Sequence, residues 1–267
     1  MLAGALLGIR AFWIEPASLR VVEHVIPGRW PRALDGLRIA VLADLHVGSP
    51  FHGIAELRRI VGETNAARPD VILLAGDYVI KGVLGGTFVA PAEIAHVLRD
   101  LTAPLGVFAV LGNHDWWYDA RRVAEALHDA GIRTLEDDAI AIDGPRGRFW
   151  LVGVSDFWEG AHDVRGALAR VGDDAPVVAF THNPDVFPDV SDRVALTIAG
   201  HTHGGQVCLP IVGCPIVPSR HGQRYVAGHV IEDGRHLFVS TGLGTSIIPV
   251  RFRVPPEISI VVPRVAD

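Results

Sequence analysis

The chain has no run of lysine or arginine, only two cysteines, and an apolar opening, Met1 to Ile14, that stops short of the ~20 residues needed to cross a bilayer. Without a basic run the electrostatic footprint of a nucleic-acid-binding module is missing, and the formal charge of −6 points the same way. No nucleic-acid polymer is expected as a partner. Cys208 and Cys214 cannot by themselves build a tetrahedral sulfur site. They lie close together in a proline-bounded loop, where free thiols are the expectation and a disulfide the alternative. Charged residues make up 20%, too few for a disordered chain, while 49% hydrophobic residues supply a large core. Neither an internal repeat nor a low-complexity linker divides the 267 residues, which read as one domain over 19–267 behind an apolar segment, 1–18.

That apolar opening carries only Arg10 as a charge, lacks a basic start and has no small-residue cleavage signal, so it fits a secretory signal poorly. Three readings stay open: a helix packed on the domain, an interfacial anchor, or the tail of a membrane segment. The protein is accordingly expected in the cytoplasm or at a membrane, with peripheral membrane contact as one outcome.

Beyond it the chain alternates buried strands with amphipathic helices. After an edge segment, Leu19 to Val25, and a turn near Pro27 to Pro31, the run Leu37 to Ala43 is apolar apart from Arg38, as in a strand buried on both faces. It ends in Asp44, Leu45, His46. Apolar spacing predicts a helix over Ile54 to Ala67, closed by Arg68-Pro69, and then a strand, Val71 to Ala75, ending in Gly76, Asp77, Tyr78. A glycine-rich surface loop, Lys81 to Ala90, a helix from Pro91 to Leu101 and a third strand, Val107 to Leu111, follow; the last ends in Gly112, Asn113, His114, Asp115. The loop is not of the Walker type, because no glycine-lysine-serine/threonine ending is present. Trp116, Trp117 and Tyr118 read as packing or as an apolar wall beside a site. A helix is predicted from Asp119 to Ala130.

The second half is richer in strands: a hairpin of Ala139 to Ile142 and Phe149 to Val154, a helix from Asp163 to Val171, then Val177 to Phe180 ending in Thr181, His182, Asn183, Pro184. Leu196 to Ala199 ends in Gly200, His201, Thr202, His203, and later strands are expected at Tyr225 to Ile231, His236 to Ser240 and Ile258 to Val262. Two sheets are implied, with the early helices covering one. In open α/β sheets ligands sit at the carboxyl edge of the strands, and here that edge repeatedly carries Asp, Asn and His.

Asp44, His46, Asp77, Asn113, His182, His201 and His203 are too many ligands for one tetrahedral ion and suit two adjacent ions sharing a carboxylate. Nitrogen and oxygen donors without sulfur point to manganese, iron, zinc or cobalt, with manganese favoured.

The blocks DLH at Asp44, GDY at Gly76, GNHD at Gly112, THNPD at Thr181 and GHTHGGQ at Gly200, in this order, resemble the calcineurin-like metallophosphoesterases. GHTHGGQ and GLGTSIIPVRFRVPPEI, Gly242 to Ile258, are further similar to a bacterial, often membrane-associated branch that includes UDP-diacylglucosamine pyrophosphatases. The resemblance implies a four-layer αββα sandwich of the metallophosphatase fold, an α/β architecture with two mixed sheets flanked by helices. It assigns Asp44, His46 and His203 to a first metal, Asn113, His182 and His201 to a second, and Asp77 to the bridge.

The activity it implies is hydrolysis of a phosphodiester or pyrophosphate by a metal-bridging hydroxide, on a small-molecule or lipid-linked phosphate ester; a phosphomonoesterase and a non-catalytic metal scaffold are the rivals. His114 is expected to protonate the leaving oxygen, and Asp115 to orient the His114 ring. His24, His52, His96, His128, His162, His221, His229 and His236 match no block and are taken as surface or structural. Arg251 and Arg253, alternating along an extended segment, read as an exposed strand face and are left out of the site.

Overall fold

A computed structural model describes residues 2–266, with side chains from residue 4 onward, so Met1 of the apolar opening lies outside the described residues. The opening forms α1 (Leu2–Ile9) and a π-helical turn, Arg10–Ile14. Next come β1 (Arg20–Gly28), β2 (Ile39–Leu42), α2 (Ile54–Ala66), β3 (Val71–Ala75), α3 (Pro91–Leu98), β4 (Val107–Val110), α4 (Asn113–Asp129) and β5 (Arg133–Thr134). The second half contains β6 (Asp138–Gly144), β7 (Gly147–Val154), α5 (Val164–Ala169), β8 (Val177–Thr181), β9 (Val194–Ala199), β10 (Gly228–Glu232), β11 (Arg235–Val239) and β12 (Glu257–Val265).

Two six-stranded sheets result, ordered β1-β12-β2-β3-β4-β5 and β10-β11-β9-β8-β7-β6. In the first, β2, β3 and β4 run parallel; in the second, β7, β8, β9 and β11 do so. The near-continuous apolar runs follow from burial on both faces. Ala40 and Leu42 of β2 pack outward against Leu57, Ile60, Ile94 and Leu127 of the helices. Ile39 and Val41, one residue out of phase, pack inward against Val178, Phe180, Leu196 and Ile198 of the other sheet. On the far side Val152, Ala179 and Leu237 meet Val164 and Ala167 of α5 and the short turn bearing Val186 and Phe187. The layering is helix, sheet, sheet, helix, the metallophosphatase arrangement expected, with a much thinner outer layer on the second sheet.

Local chemistry explains the element ends. Pro91 occupies the first turn of α3, where its missing N–H costs no hydrogen bond. Arg68 takes φ 50 before Pro69, because proline denies the preceding residue the right-handed helical region, and α2 stops there. Helix α4 starts six residues earlier than its apolar spacing predicts, then breaks at Asp119 (φ −178, ψ 94). The predicted helix from Asp119 is thus its second piece, and the first piece is the GNHD block itself. Pro27 lies within edge strand β1, and Tyr225 closes a short 3-10 turn, Gly222–Tyr225, ahead of β10.

Two expectations are corrected. Cys208 and Cys214 form a disulfide. A tight turn with reciprocal Leu209 and Gly213 backbone hydrogen bonds brings their Cα atoms to 4.1 Å, close enough to bridge. Arg251 is fully buried, not on an exposed face. Its guanidinium donates to the carbonyls of Thr241, Gly244 and Val254, which satisfies a charge that burial would otherwise expel. Arg253 is exposed, as expected.

The opening segment is held to the domain at its end. Ala11 is buried and its carbonyl accepts from the Arg251 amide at 3.0 Å; Glu15 is buried, pairs with Arg10 at 3.2 Å and accepts from the Val254 amide at 2.6 Å. No helix among the described residues is long and apolar enough to cross a membrane.

Candidate metal centre

All seven predicted ligands converge between the carboxyl ends of the two sheets, and all are buried. Asp44 and His46 follow β2, Asp77 follows β3, Asn113 and His114 open α4 after β4, His182 follows β8, and His201 and His203 follow β9. The short strand-end loops are locked together: the Asp44 amide donates to Gly76 O at 3.0 Å and the Gly200 amide to His182 O at 2.8 Å. Across the seam, the His201 amide donates to both Asp44 oxygens at 3.0 and 3.1 Å.

The backbone is strained where it presents these groups. Asp44, His46, Asp77, His201 and His203 all have positive φ, between 39 and 70, a region that costs side-chain-bearing residues energy and clusters at functional sites. Close approach explains the two glycines of GDY and GNHD. A Cβ on Gly76 would meet the Gly112 nitrogen at 2.6 Å, and one on Gly112 would collide with the Asp77 carboxylate.

His46 Nε2 lies 3.1 Å from His203 Nε2 and 3.4 Å from Asp77 Oδ2, and His203 Nε2 lies 3.6 Å from Asp44 Oδ1. His182 Nε2 lies 3.1 Å from Asn113 Oδ1, 3.0 Å from His201 Nδ1 and 3.3 Å from the same Asp77 Oδ2. The opposite nitrogen of His182 faces Ala75 O at 2.7 Å and that of His46 faces Val79 O at 3.4 Å, so each ring donates outward and turns its lone pair inward. Lone pairs and carboxylate oxygens therefore crowd two points with few protons between them. Such crowding is unfavourable on its own and is relieved by cations, so the donor set fits divalent metal ions. Asp44, His46 and His203 form one group within ligand reach, Asp77, His182 and His201 another, and His46, Asp77 and His114 a third.

The electrostatics agree for three of the four candidate ligand imidazoles. Burial pushes the Asp44 carboxyl up to about 7 and the His46 imidazole down to about 3, and it drives His201 and His203 well below the usual imidazole range. His182 is the exception: burial works against its charged form, but the Asp77 charge and hydrogen bond outweigh it and push the imidazole well above the ordinary range, so a cation there takes the place of a proton. Burial works against ionised Asp77 as well, but His182, His114 and His46 outweigh it and hold its carboxyl well below the ordinary value.

His114 sits edge-on to His46, with ring centroids 4.6 Å apart, and its amide donates to Asp77 Oδ1 at 2.8 Å. Burial lowers its pKa, with Asp77 pulling the other way. The expected role of Asp115 is corrected. Its carboxylate does not face the His114 ring, whose Nδ1 is buried without a partner. Instead it accepts from the amides of Asp77, Tyr78, Val79 and Gly112 at 2.8 to 3.3 Å. It sits at the third position of α4, whose N-terminus aims the side chain back at the chain entering the helix. Burial and the Asp77 charge push its carboxyl up to about 7, against the pull of the amide donors. Asp115 is a positioning residue for the Asp77 loop.

Arg251, Asp156 and Trp158 escaped the motif reading, whereas Trp117 takes the wall position that was one of its two expected roles. Arg251 pins the Thr241–Val254 segment, whose Gly244 amide donates to Asp44 O. Trp158 packs edge-on against His201 at 4.4 Å, and Asp156, buried beside it, accepts from the Trp158 and Glu159 amides. Trp117 contacts His114 at 4.9 Å and stacks near Trp158 at 6.4 Å, its indole N–H donating to Glu159 at 2.7 Å. The strand-end rule that pointed to the candidate ligands also marks Ser155 to Glu159, directly after β7.

Residues 37–205 match the family described as calcineurin-like phosphoesterase. The chain is 34% identical over 252 residues to the phosphodiesterase YaeI of Escherichia coli (strain K12), covering 93% of this chain and 89% of that protein. It is 30% identical over 256 residues to the uncharacterized metallophosphoesterase YkuE of Bacillus subtilis (strain 168), covering 94% and 87%. An uncharacterized metallophosphoesterase of Aquifex aeolicus (strain VF5) is 28% identical over 273 residues, covering 98% and 97%. With its five blocks gathered at one buried centre and this breadth of similarity, the chain belongs to the calcineurin-like phosphoesterase family.

Proposed function

We propose that the chain is a dinuclear metal-dependent phosphohydrolase that cleaves a phosphodiester or pyrophosphate bond. The observation that carries the reading is the position of Asp77 Oδ2, 3.4 Å from His46 Nε2 and 3.3 Å from His182 Nε2, between two sets of inward-facing donors. Asp44, His46 and His203 would hold one ion, Asn113, His182 and His201 the other, and Asp77 both. The ions, when bound, supply Lewis acidity, neutralising phosphoryl oxygens and acidifying water, with manganese the favoured metal. His114 would protonate the leaving oxygen. Asp115 fixes the Asp77 loop, and Trp117 and Trp158 would form an apolar wall beside His114 and His201.

The name of the YaeI relative favours a diester over a monoester, and the GHTHGGQ and Gly242–Ile258 segments favour a lipid-linked or nucleotide-sugar-lipid substrate of the UDP-diacylglucosamine pyrophosphatase kind. The test is metal-reconstituted protein offered a chromogenic phosphodiester, a phosphomonoester, nucleotide diesters, phospholipids and a UDP-linked acyl sugar. Manganese-dependent turnover, greatest on a diester or the UDP-linked sugar, is expected. Two bound ions per chain with no turnover on any member would overturn it in favour of a metal-stabilised scaffold.

A further inference from the structure

Large apolar side chains stand in solvent on several loops around the centre. Ile211 is fully exposed, Ile247 is 71% and Leu84 69% exposed, and Trp13 and Ile14 are each 61% exposed. These belong to segments that touch in series. Arg10 lies 5.9 Å over the Phe252 ring, whose backbone carbonyl accepts from the Cys208 amide at 3.0 Å. The Gln206 side chain bridges Ile248 O and the Ser246 amide, and Ile247 O accepts from the Leu84 amide at 2.9 Å. The opening helix, the disulfide-closed loop, the Ser246–Ile248 loop and the Leu84 loop are therefore one connected rim. It borders the metal centre directly, because a Cβ on Gly205, two residues past His203, would meet the Cys214 Cβ at 2.6 Å.

Two further properties separate this rim from ordinary exposed apolar residues. Ile211 and Ile247 have φ 71 and 62. A β-branched residue in the left-handed region is a genuine outlier, and here two of them present isoleucines to water. Charge is segregated as well. Although the chain carries 30 acidic residues, none lies within residues 1–14, 78–92, 203–231 or 241–256. The exposed charges of those segments are Arg10, Lys81, Arg220, Arg224 and Arg253, all cationic, of which Arg10, Arg220 and Arg224 pair with Glu15, Asp185 and Glu232 outside them. Apolar tips flanked by cations, on a chain of net charge −6, are complementary to a surface with an apolar interior and anionic headgroups.

We propose that the connected rim carrying Ile211, Ile247 and the opening helix docks on an anionic lipid bilayer, with the disulfide loop inserted beside the metal centre. The docking face deepens the lipid-linked reading given above. The Cys208–Cys214 bridge holds the loop as a short closed turn, so its apolar tip is presented without further ordering. A lipid-anchored phosphate would then meet the centre near the headgroup level.

The test sediments the full chain with vesicles of phosphatidylcholine containing about one-third phosphatidylglycerol, at low and raised salt, for the wild type and an I211S/I247S variant. Binding of the wild type that weakens with salt, and that falls about tenfold in the variant, is expected. Hydrolysis of a soluble chromogenic diester is the control and should be the same in both proteins. Vesicle binding without turnover in either protein defeats the phosphohydrolase reading and leaves the docking face standing. Equal vesicle binding by both proteins overturns the proposal, as does failure of the wild type to bind. A dimer that the variant splits, with no vesicle binding, overturns it in favour of self-association.

Discussion

The two sheets contribute different chemistry to one centre. The first supplies all the candidate oxygen ligands, Asp44, Asp77 and Asn113, with His46; the second supplies only imidazoles, His182, His201 and His203. The first is backed by three helices, α2, α3 and α4, whereas the second is backed by a six-residue helix and short turns. Apart, the first edge would hold two buried carboxylates and the second three buried imidazoles. Packed together, each set compensates the other, and Asp77 is held ionised by histidines from both sides. The difference teaches that the centre is a property of the seam: the inter-sheet core sets the distances between the candidate ligands, and bound cations would complete the charge balance.

The seam breaks most completely at the group both halves share. Asp77→Asn removes the negative charge between the two donor sets, and metal content is expected to fall well below two ions per chain, with a loss of activity larger than any other single change described here. Elemental analysis of reconstituted protein checks this; two retained ions with full turnover would remove the basis of the assignment.

His114→Ala leaves the shared carboxylate in place and takes away the proposed proton donor. Activity should drop by ~10²- to 10⁴-fold, the usual worth of general acid catalysis, while both ions stay bound. The same elemental analysis decides the point, because loss of an ion would make His114 a ligand instead, consistent with its reach to His46 and Asp77.

Phe180→Ala tests the seam through packing. Phe180 is fully buried in the inter-sheet core, one residue before Thr181 and two before His182. Denaturant unfolding should show a loss of about 3–5 kcal/mol, the usual cost of emptying a buried phenylalanine site. Weaker metal binding should accompany it, whereas a comparable truncation under the helices, Leu57→Ala, should cost stability and spare metal affinity.

The smallest effect lies beside the seam. His52 is buried, its Nε2 has no partner, and burial, reinforced by Arg251 and Arg59, pushes its pKa down to about 3. The folded state resists the proton that the unfolded state takes up near pH 6.5, so stability is full above that value and falls as pH drops towards 3. At pH 4 the loss is about 1–3 kcal/mol, and chemical denaturation of His52→Gln should show a correspondingly flatter pH profile between 6.5 and 4.

Much of the fold was legible because a strand buried on both faces needs a continuous apolar run. Ile39–Leu42, Val71–Ala75 and Val177–Thr181 therefore announce themselves, and the polar clusters after them mark the edge where ligands gather. The five blocks, in order, carry the family and the seven candidate ligand positions. Where reading failed, a long-range contact had decided. Arg251 looks like a surface arginine until the carbonyls of Thr241, Gly244 and Val254 fold around it. Asp115 looks like a partner for the adjacent His114, but the helix start turns it towards amides contributed largely by the loop after β3. Likewise two cysteines six apart pair because the hydrogen bonds of a tight turn place them.

By itself, then, the sequence determined the buried strands, the identity and order of the candidate ligand residues that converge at one centre and the segregation of acidic residues away from the rim segments, since these are local patterns of hydrophobicity, donor type and charge. Only the tertiary structure decided which histidine faces which carboxylate, which polar side chains are spent holding loops, and that four separate acid-free segments form one face. Those outcomes depend on how two sheets twist and pack, and a hydrogen bond between residues 157 positions apart, such as that from His201 to Asp44, is written in no local pattern.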